Sequence, residues 1–338
     1  MNSGYSAATN DLDYIRRFRG AGACRNMFRK LGKERRQNAV SLVNDGRLFF
    51  ASLFILRPEI DELNLMEELS ERNRTALRIC EKMLEEKNLS DEPGSSVPLN
   101  SEELHSVLLW MFSTGAYDDG LNDDFDQVLD TSASVLIKTH HEKTILPVMA
   151  NMVFKRNQKG KYIHDLVWAC FQSRDADALR IIASRLRSSA PKDAELARML
   201  LHLPQDVPLR SNYDRQNQYT SYLSWLKEND PYLYFTGESF QFCNEPVPCA
   251  VDLEAKYLCK DNSIRVFKPL CQAANEESSS SSNFSKLAEG EKEVLAKHSQ
   301  KLHRENPSYW NEWMRYPIEK QIHIARNGGG NSYDCNCR

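Results

Sequence analysis

The chain lacks an apolar run long enough to cross a bilayer. Its longest, LFFASLFIL at 48–56, is nine residues, whereas a spanning helix takes roughly 20. That run also starts too late for a secretory leader, and Asn44, Asp45 and Arg47 precede it. Glycine and proline are scarce, 14 and 13 among 338 residues, which sets aside collagen-like and low-complexity classes. Charge of one sign is lacking too: the formal net of −3 does not mark a nucleic-acid binder.

Reaction motifs are missing in the same way. GAGACR at 20–25 opens like a phosphate loop but has no third glycine and no preceding strand. GESF at 237–240 lacks the second glycine of a nucleophile elbow. His140-His141-Glu142 has no histidine at metallopeptidase spacing, and His298 and His303, five apart, fall on different helix faces. DDGLNDDFD at 118–126 lacks the calcium-loop order and reads as a helix-start cap with solvated charges.

Cysteine is plentiful, nine in all, but arranged without a zinc knuckle. In the stretch CNEPVPCAVDLEAKYLC the thiols are too far apart for a short loop to aim two at one ion. A composite zinc site would combine Cys243, Cys249, Cys259 or Cys271 with Cys335 and Cys337 of the tail. The reading adopted is small buried hydrophobes plus exposed tail thiols, with no cofactor. An odd number of thiols and no secretion signal fit a reducing, cytoplasmic setting. Cys335 stands fourth from the end, but Asn336, Cys337 and Arg338 are poor prenylation residues.

What is present is helix. Residues 48–56 are apolar all round and suit a central buried helix ended by Arg57-Pro58. Residues 60–87 follow as one long amphipathic helix with Leu65, Met66, Leu69, Leu77, Cys80 and Leu84 in a stripe. In YIHDLVWACF, Ile163, Leu166, Val167, Cys170 and Phe171 fall at i, i+3, i+4, i+7 and i+8. DADALRIIASRL and AELARMLLHL continue the theme, with Pro191 and Asp193 at a helix start. Short helices joined by short breaks pack antiparallel.

The layout resembles helix-pair solenoids of the HEAT type, in architecture alone, because no fixed period recurs. The predicted fold is therefore mainly α: stacked antiparallel helix hairpins, an irregular helical repeat or bundle, with a small β-hairpin-containing insertion near 232–270. KYLCKDNSIRVFK, at 256–268, supplies the expected hairpin around Asp261-Asn262. The segments are a flexible 1–10, a helical-hairpin domain 11–230 with a loop near 90–100, and a mixed segment 231–271. A serine-rich linker 272–283, C-terminal helices 284–326 and a flexible tail 327–338 complete the chain.

Charge comes in blocks. Residues 16–36 carry nine bases against one acid, residues 59–130 nineteen acids against five bases, and residues 131–215 fourteen bases against eight acids. Blocks of opposite sign neutralise one another within a fold or face partners. Two binding surfaces are candidates: the basic segment with Arg16, Arg17, Arg19, Arg25 and Arg29, and NPSYWNEWMRYP with Trp310, Trp313 and Tyr316. The functional expectation is a non-catalytic helical scaffold that binds a protein partner. The alternatives are a nucleic-acid binder using 16–36 together with Lys155, Arg156, Lys159 and Lys161, and an enzyme or metal protein whose site gathers distant residues.

Overall fold

A computed structural model of the chain describes residues 10–85, 102–204, 211–238, 246–260 and 283–327. Among them are sixteen α-helices and one two-stranded sheet. The chain divides into two compact units, Met1–Ser173 and Arg174–Arg338, a division that falls inside the expected 11–230 span. The 1–9 end, the 90–100 loop, residues 272–282 of the linker and residues 328–338 of the tail lie outside the described residues.

The first unit holds α1 (Asp11–Arg19), α2 (Ala21–Glu34), α3 (Arg36–Val43), α4 (Phe50–Glu62), α5 (Glu71–Glu85), α6 (Glu102–Gly115), α7 (Asp123–Lys138), α8 (Leu146–Gln158) and α9 (His164–Gln172). Asn10 starts α1 by accepting from Leu12 N at 2.8 Å, and Asp11 and Asp13 complement the helix dipole in its first turn. Gly20, at φ +88°, makes the corner between α1 and α2 that a side chain would strain. Phe28, Phe50, Leu53, Leu56, Phe112, Phe125 and Leu129 are all fully buried, and the Phe50 and Phe125 rings stack at 5.4 Å. Gly115 lets α6 approach closely: a Cβ there would lie 2.6 Å from Leu129 and 3.2 Å from Phe50.

Two sequence expectations fail here. The apolar helix does not stop at Arg57-Pro58 but runs to Glu62. Proline removes one backbone bond at a cost of about 3 kcal/mol, and burial of Glu59 and Ile60 beyond it carries the helix on. The long helix expected over 60–87 is instead broken. Asn64 takes the left-handed conformation at φ 50°, with Leu65 N on Ile60 O at 2.9 Å and Asn64 N on Asp61 O at 3.1 Å. That is a Schellman stop with asparagine in the glycine role. Leu65 and Leu69 still reach the core, from the turn rather than from a helix face.

The second unit holds α10 (Ala176–Ser184), α11 (Pro191–Leu200), α12 (Asn212–Asn229), β1 (Leu233–Phe235), β2 (Cys249–Val251), α13 (Leu253–Tyr257), α14 (Glu289–Glu305), α15 (Pro307–Trp313) and α16 (Ile318–Arg326). The strands run antiparallel with Leu233 opposite Val251 and Phe235 opposite Cys249, inside the expected insertion. They are not the pair expected at 256–268. Asp252 caps α13 by accepting from Ala255 N at 2.9 Å, so 256–257 are helical; residues 261–268 lie outside the described residues. The helix expected from Asn306 to about Arg326 is likewise two, α15 and α16, separated by Met314–Pro317. Tyr257, Phe284, Leu295, Ala296, Trp313 and Ile322 form the core of this C-terminal part.

Candidate functional site

The basic segment pairs most of its charge with carboxylates of its own fold. Arg25, Arg29 and Lys33 recur every four residues along α2 and so share a face, which meets Glu59 and Glu62 of α4. Arg25 Nε donates to both Glu59 oxygens at 2.9 Å, Arg29 Nη2 to Glu59 Oε1 at 2.7 Å, and Arg29 Nε to Glu62 Oε2 at 2.9 Å. Lys33 Nζ lies 3.0 Å from Glu62. Glu59 is fully buried, and these donors satisfy its oxygens away from water. Arg36 closes the ladder: it reaches Glu68 at 2.7 Å and the carbonyls of Leu63 and Asn64 at 2.8 and 2.9 Å, beyond the last turn of α4.

The front of the segment is different. Arg16 is buried and binds Asp118 with both Nη groups, at 2.9 and 2.8 Å, while its Nε donates to Ser52 at 2.8 Å. Arg17 shares the same carboxylate through one Nη2 bond of 3.1 Å. Its guanidinium carbon lies 4.6 Å from the centre of the Phe49 ring, and Phe49 in turn neighbours Tyr117 at 5.8 Å. On the same side of α1, Tyr14 and Phe18 are one turn apart with ring centres 4.7 Å apart. Tyr14, Phe18 and Tyr117 are 50%, 74% and 62% exposed. Two ring pairs thus accompany one arginine, Tyr14–Phe18 along α1 and Phe49–Tyr117, of which Phe49 lies under Arg17. Arg19 is exposed and, among the described residues, has no ion pair.

No family model, curated protein or solved structure matches the chain. The site therefore rests on its own geometry.

The second candidate surface separates into unlike parts. Trp313 is fully buried, with Tyr257 edge-on at 6.1 Å and the His298 ring at 5.3 Å. Trp310 is half-buried and donates from Nε1 to Ser299 Oγ at 2.8 Å, and Ser299 donates to Tyr257 O at 2.5 Å. Tyr316 donates to Glu312 at 2.7 Å, and the Lys320 ammonium sits 3.7 Å from its ring centre. Trp313 belongs to the core, and Trp310 is anchored beside it.

Two of the six thiols of the composite site are described. Cys249 is half-buried in β2, and Cys259 follows α13 at φ 50°. Burial pushes the Cys259 thiol up, against a lowering contact from Ser299 3.8 Å away. A raised thiol is a weaker nucleophile and a weaker metal ligand at neutral pH. Cys243, Cys271, Cys335 and Cys337 lie outside the described residues. Among the described residues no group of three or more His, Cys, Asp or Glu is placed to hold a metal ion, and no helix is long and apolar enough to span a membrane. Cys24, Cys80 and Cys170 are free and buried, with thiols pushed up to about 11, 12 and 12 by desolvation.

The acidic run 118–126 is a helix-start cap, as read, since Asn122 accepts from Phe125 N at 2.8 Å. Its charges are not all solvated, however. Asp119 and Asp130 hold the buried Arg156, through Nε and Nη1 bonds of 2.8 Å each. Arg156, grouped with Lys155, Lys159 and Lys161 as a nucleic-acid contact, is thus an interior residue. Sequence reading passed over Phe49, Tyr117 and Asp118. The spacing of Tyr14 and Phe18 among charged residues was the one local signal for the ring surface.

Proposed function

We propose that the chain is a non-catalytic helical scaffold that binds a protein partner through the ring-and-arginine surface of its first unit. The observation that carries this reading is the contrast within one segment. Arg25, Arg29, Lys33 and Arg36 are turned onto carboxylates of their own fold, whereas Tyr14, Phe18 and Tyr117 are left in water. Clustered exposed aromatics mark interaction sites, and Tyr and Arg are favoured anchors. The neutralised cations argue for protein over nucleic acid, whose affinity comes largely from unpaired basic groups. Buried ionisable groups support binding over catalysis: Asp13 accepts from Ser52 at 2.6 Å and from Phe49 N at 3.0 Å at the start of α4, and Asp193 accepts from Ser188 at 3.0 Å beside the start of α11. The free thiols fit a reducing, cytoplasmic compartment.

The test is affinity purification of the tagged full chain from its own cells, alongside heparin chromatography. The expected result is a protein recovered in near-stoichiometric amount and little retention on heparin at physiological salt. Steeply salt-dependent retention with no co-purified protein would overturn the scaffold reading.

A further inference from the structure

We infer that the surface formed by Tyr14, Arg17, Phe18, Phe49 and Tyr117 docks an acidic segment of the partner protein, seating a carboxylate on Arg17 and apolar side chains on the flanking rings. The inference rests on the scaffold reading and names what that surface recognises.

A guanidinium carries five N–H donors in a fixed fork. Arg17 commits one to Asp118, and its others have no protein partner among the described residues. Its plane is nevertheless held, by the Phe49 ring beneath it and by that single bond. A donor set that is already oriented loses little side-chain entropy when it takes up an anion. Charge points the same way. One carboxylate, Asp118, serves two arginines, and Arg16 takes it with two bonds against the one made by Arg17. Asp13, the other acid near this pair, lies 3.9 Å from Arg16 and is occupied by Ser52 Oγ at 2.6 Å and Phe49 N at 3.0 Å. The guanidinium left with uncommitted donors is Arg17, whose side chain is 23% exposed.

The rings define the rest of the ligand. Tyr14 and Phe18 lie one turn apart on the face of α1 that also carries Arg17, and Tyr117 neighbours the Phe49 ring beneath that guanidinium. A carboxylate flanked on both sides by apolar side chains fits that order. A continuous phosphodiester chain would place a charge at every nucleotide where the surface offers one guanidinium with uncommitted donors.

The test is selection of a random peptide library displayed on phage against the full chain, followed by fluorescence titration of the selected peptides. The expected peptides carry Asp or Glu between apolar residues. Binding should weaken about tenfold or more for Phe18→Ala and for Tyr117→Ala, which remove exposed rings and leave the helical spectrum unchanged. Arg17→Gln should weaken the acidic peptide, while changing little for the same peptide with Asn or Gln in place of its acids. No enrichment, enrichment of peptides without acids, or affinities indifferent to the three substitutions would each overturn the inference. Oligothymidylate binding lost in the same variants would reassign the surface to nucleic acid. A dimer on sizing that dissociates in Tyr117→Ala would reassign it to a second copy of the chain. If the co-purified partner is still captured by the Phe18→Ala, Tyr117→Ala double variant, this inference falls and the scaffold reading stands. If the unaltered chain captures no partner, the scaffold reading itself falls.

Discussion

Asp118 and Asp119 are neighbours in the chain whose carboxylates serve arginines of different helices. Asp118 receives Arg16 of α1 at 2.8 Å, and Asp119 receives Arg156 of α8 at 2.8 Å. A two-residue stretch after α6 thus ties the first helix of the unit to one that begins far along the chain. Arg156 also binds Asp130 of α7, so three helices' worth of backbone meets at two adjacent acids.

Arg156→Ala should therefore destabilise the first unit strongly. Removing one member of a buried ion group strands the others and costs about 3–5 kcal/mol. Replacing the group as a whole, with Asp119→Leu, Asp130→Leu and Arg156→Met together, should recover most of that loss. Urea unfolding of the three proteins makes the comparison. Equal instability of the single and triple variants would mean that these residues set a packing shape and not a charge balance.

Asp130 makes the same group pH-sensitive. Burial pushes its carboxyl from 3.8 up to about 6, against the pull of Arg156, and its Oδ1 has no partner among the described residues. The folded form therefore holds the proton more tightly than the unfolded chain. The stability this contributes is complete below about pH 3.8 and is lost as pH rises to about 6. Asp130→Asn should remove that slope. Hydrogen exchange at first-unit amides across the window reads it, and an unaltered slope in the variant would assign the titration elsewhere.

His298 acts with the opposite sign in the second unit. Burial, with Lys301 adding to it, holds the ring below its ordinary 6.5, and its Nε2 has no hydrogen-bond partner among the described residues. The unfolded chain then binds the proton more readily. Stability is present above about pH 6.5 and falls as the solution is acidified. His298→Phe should flatten this dependence if the ring fits beside Trp313. Second-unit amide exchange at pH 5 and pH 7 decides, and a variant as acid-sensitive as the parent would contradict the assignment.

Trp313→Ala should cost about 3–5 kcal/mol, as loss of a buried aromatic does. Its ring contacts Tyr257 and His298, and it is among the largest fully buried side chains. Thermal unfolding followed by circular dichroism measures the loss. Unchanged melting with lost partner capture would move Trp313 from the core to the interface.

Local patterning was enough to place most of the helices and the faces they bury, though not all of their ends. The stripe of Ile163, Leu166, Val167, Cys170 and Phe171 is buried as its spacing requires, and Asn306-Pro307 starts a helix as the chemistry of capping predicts. These features are local, because helical periodicity and caps act over a few residues. What the sequence did not contain was the pairing of its charge blocks. The blocks announced that neutralisation was available, but only the packing of α2 against α4 set Arg25 on Glu59, and only the placing of Asp118 beside α1 left Arg17 with donors to spare. The same holds where tertiary contacts overrode local rules, as at Pro58 inside a helix and Asn64 at a stop expected to be helical. The surface of Tyr14, Phe18, Phe49 and Tyr117 exists because distant segments meet, and electrostatic and packing energies of that kind depend on distances in space that separation along the chain does not encode.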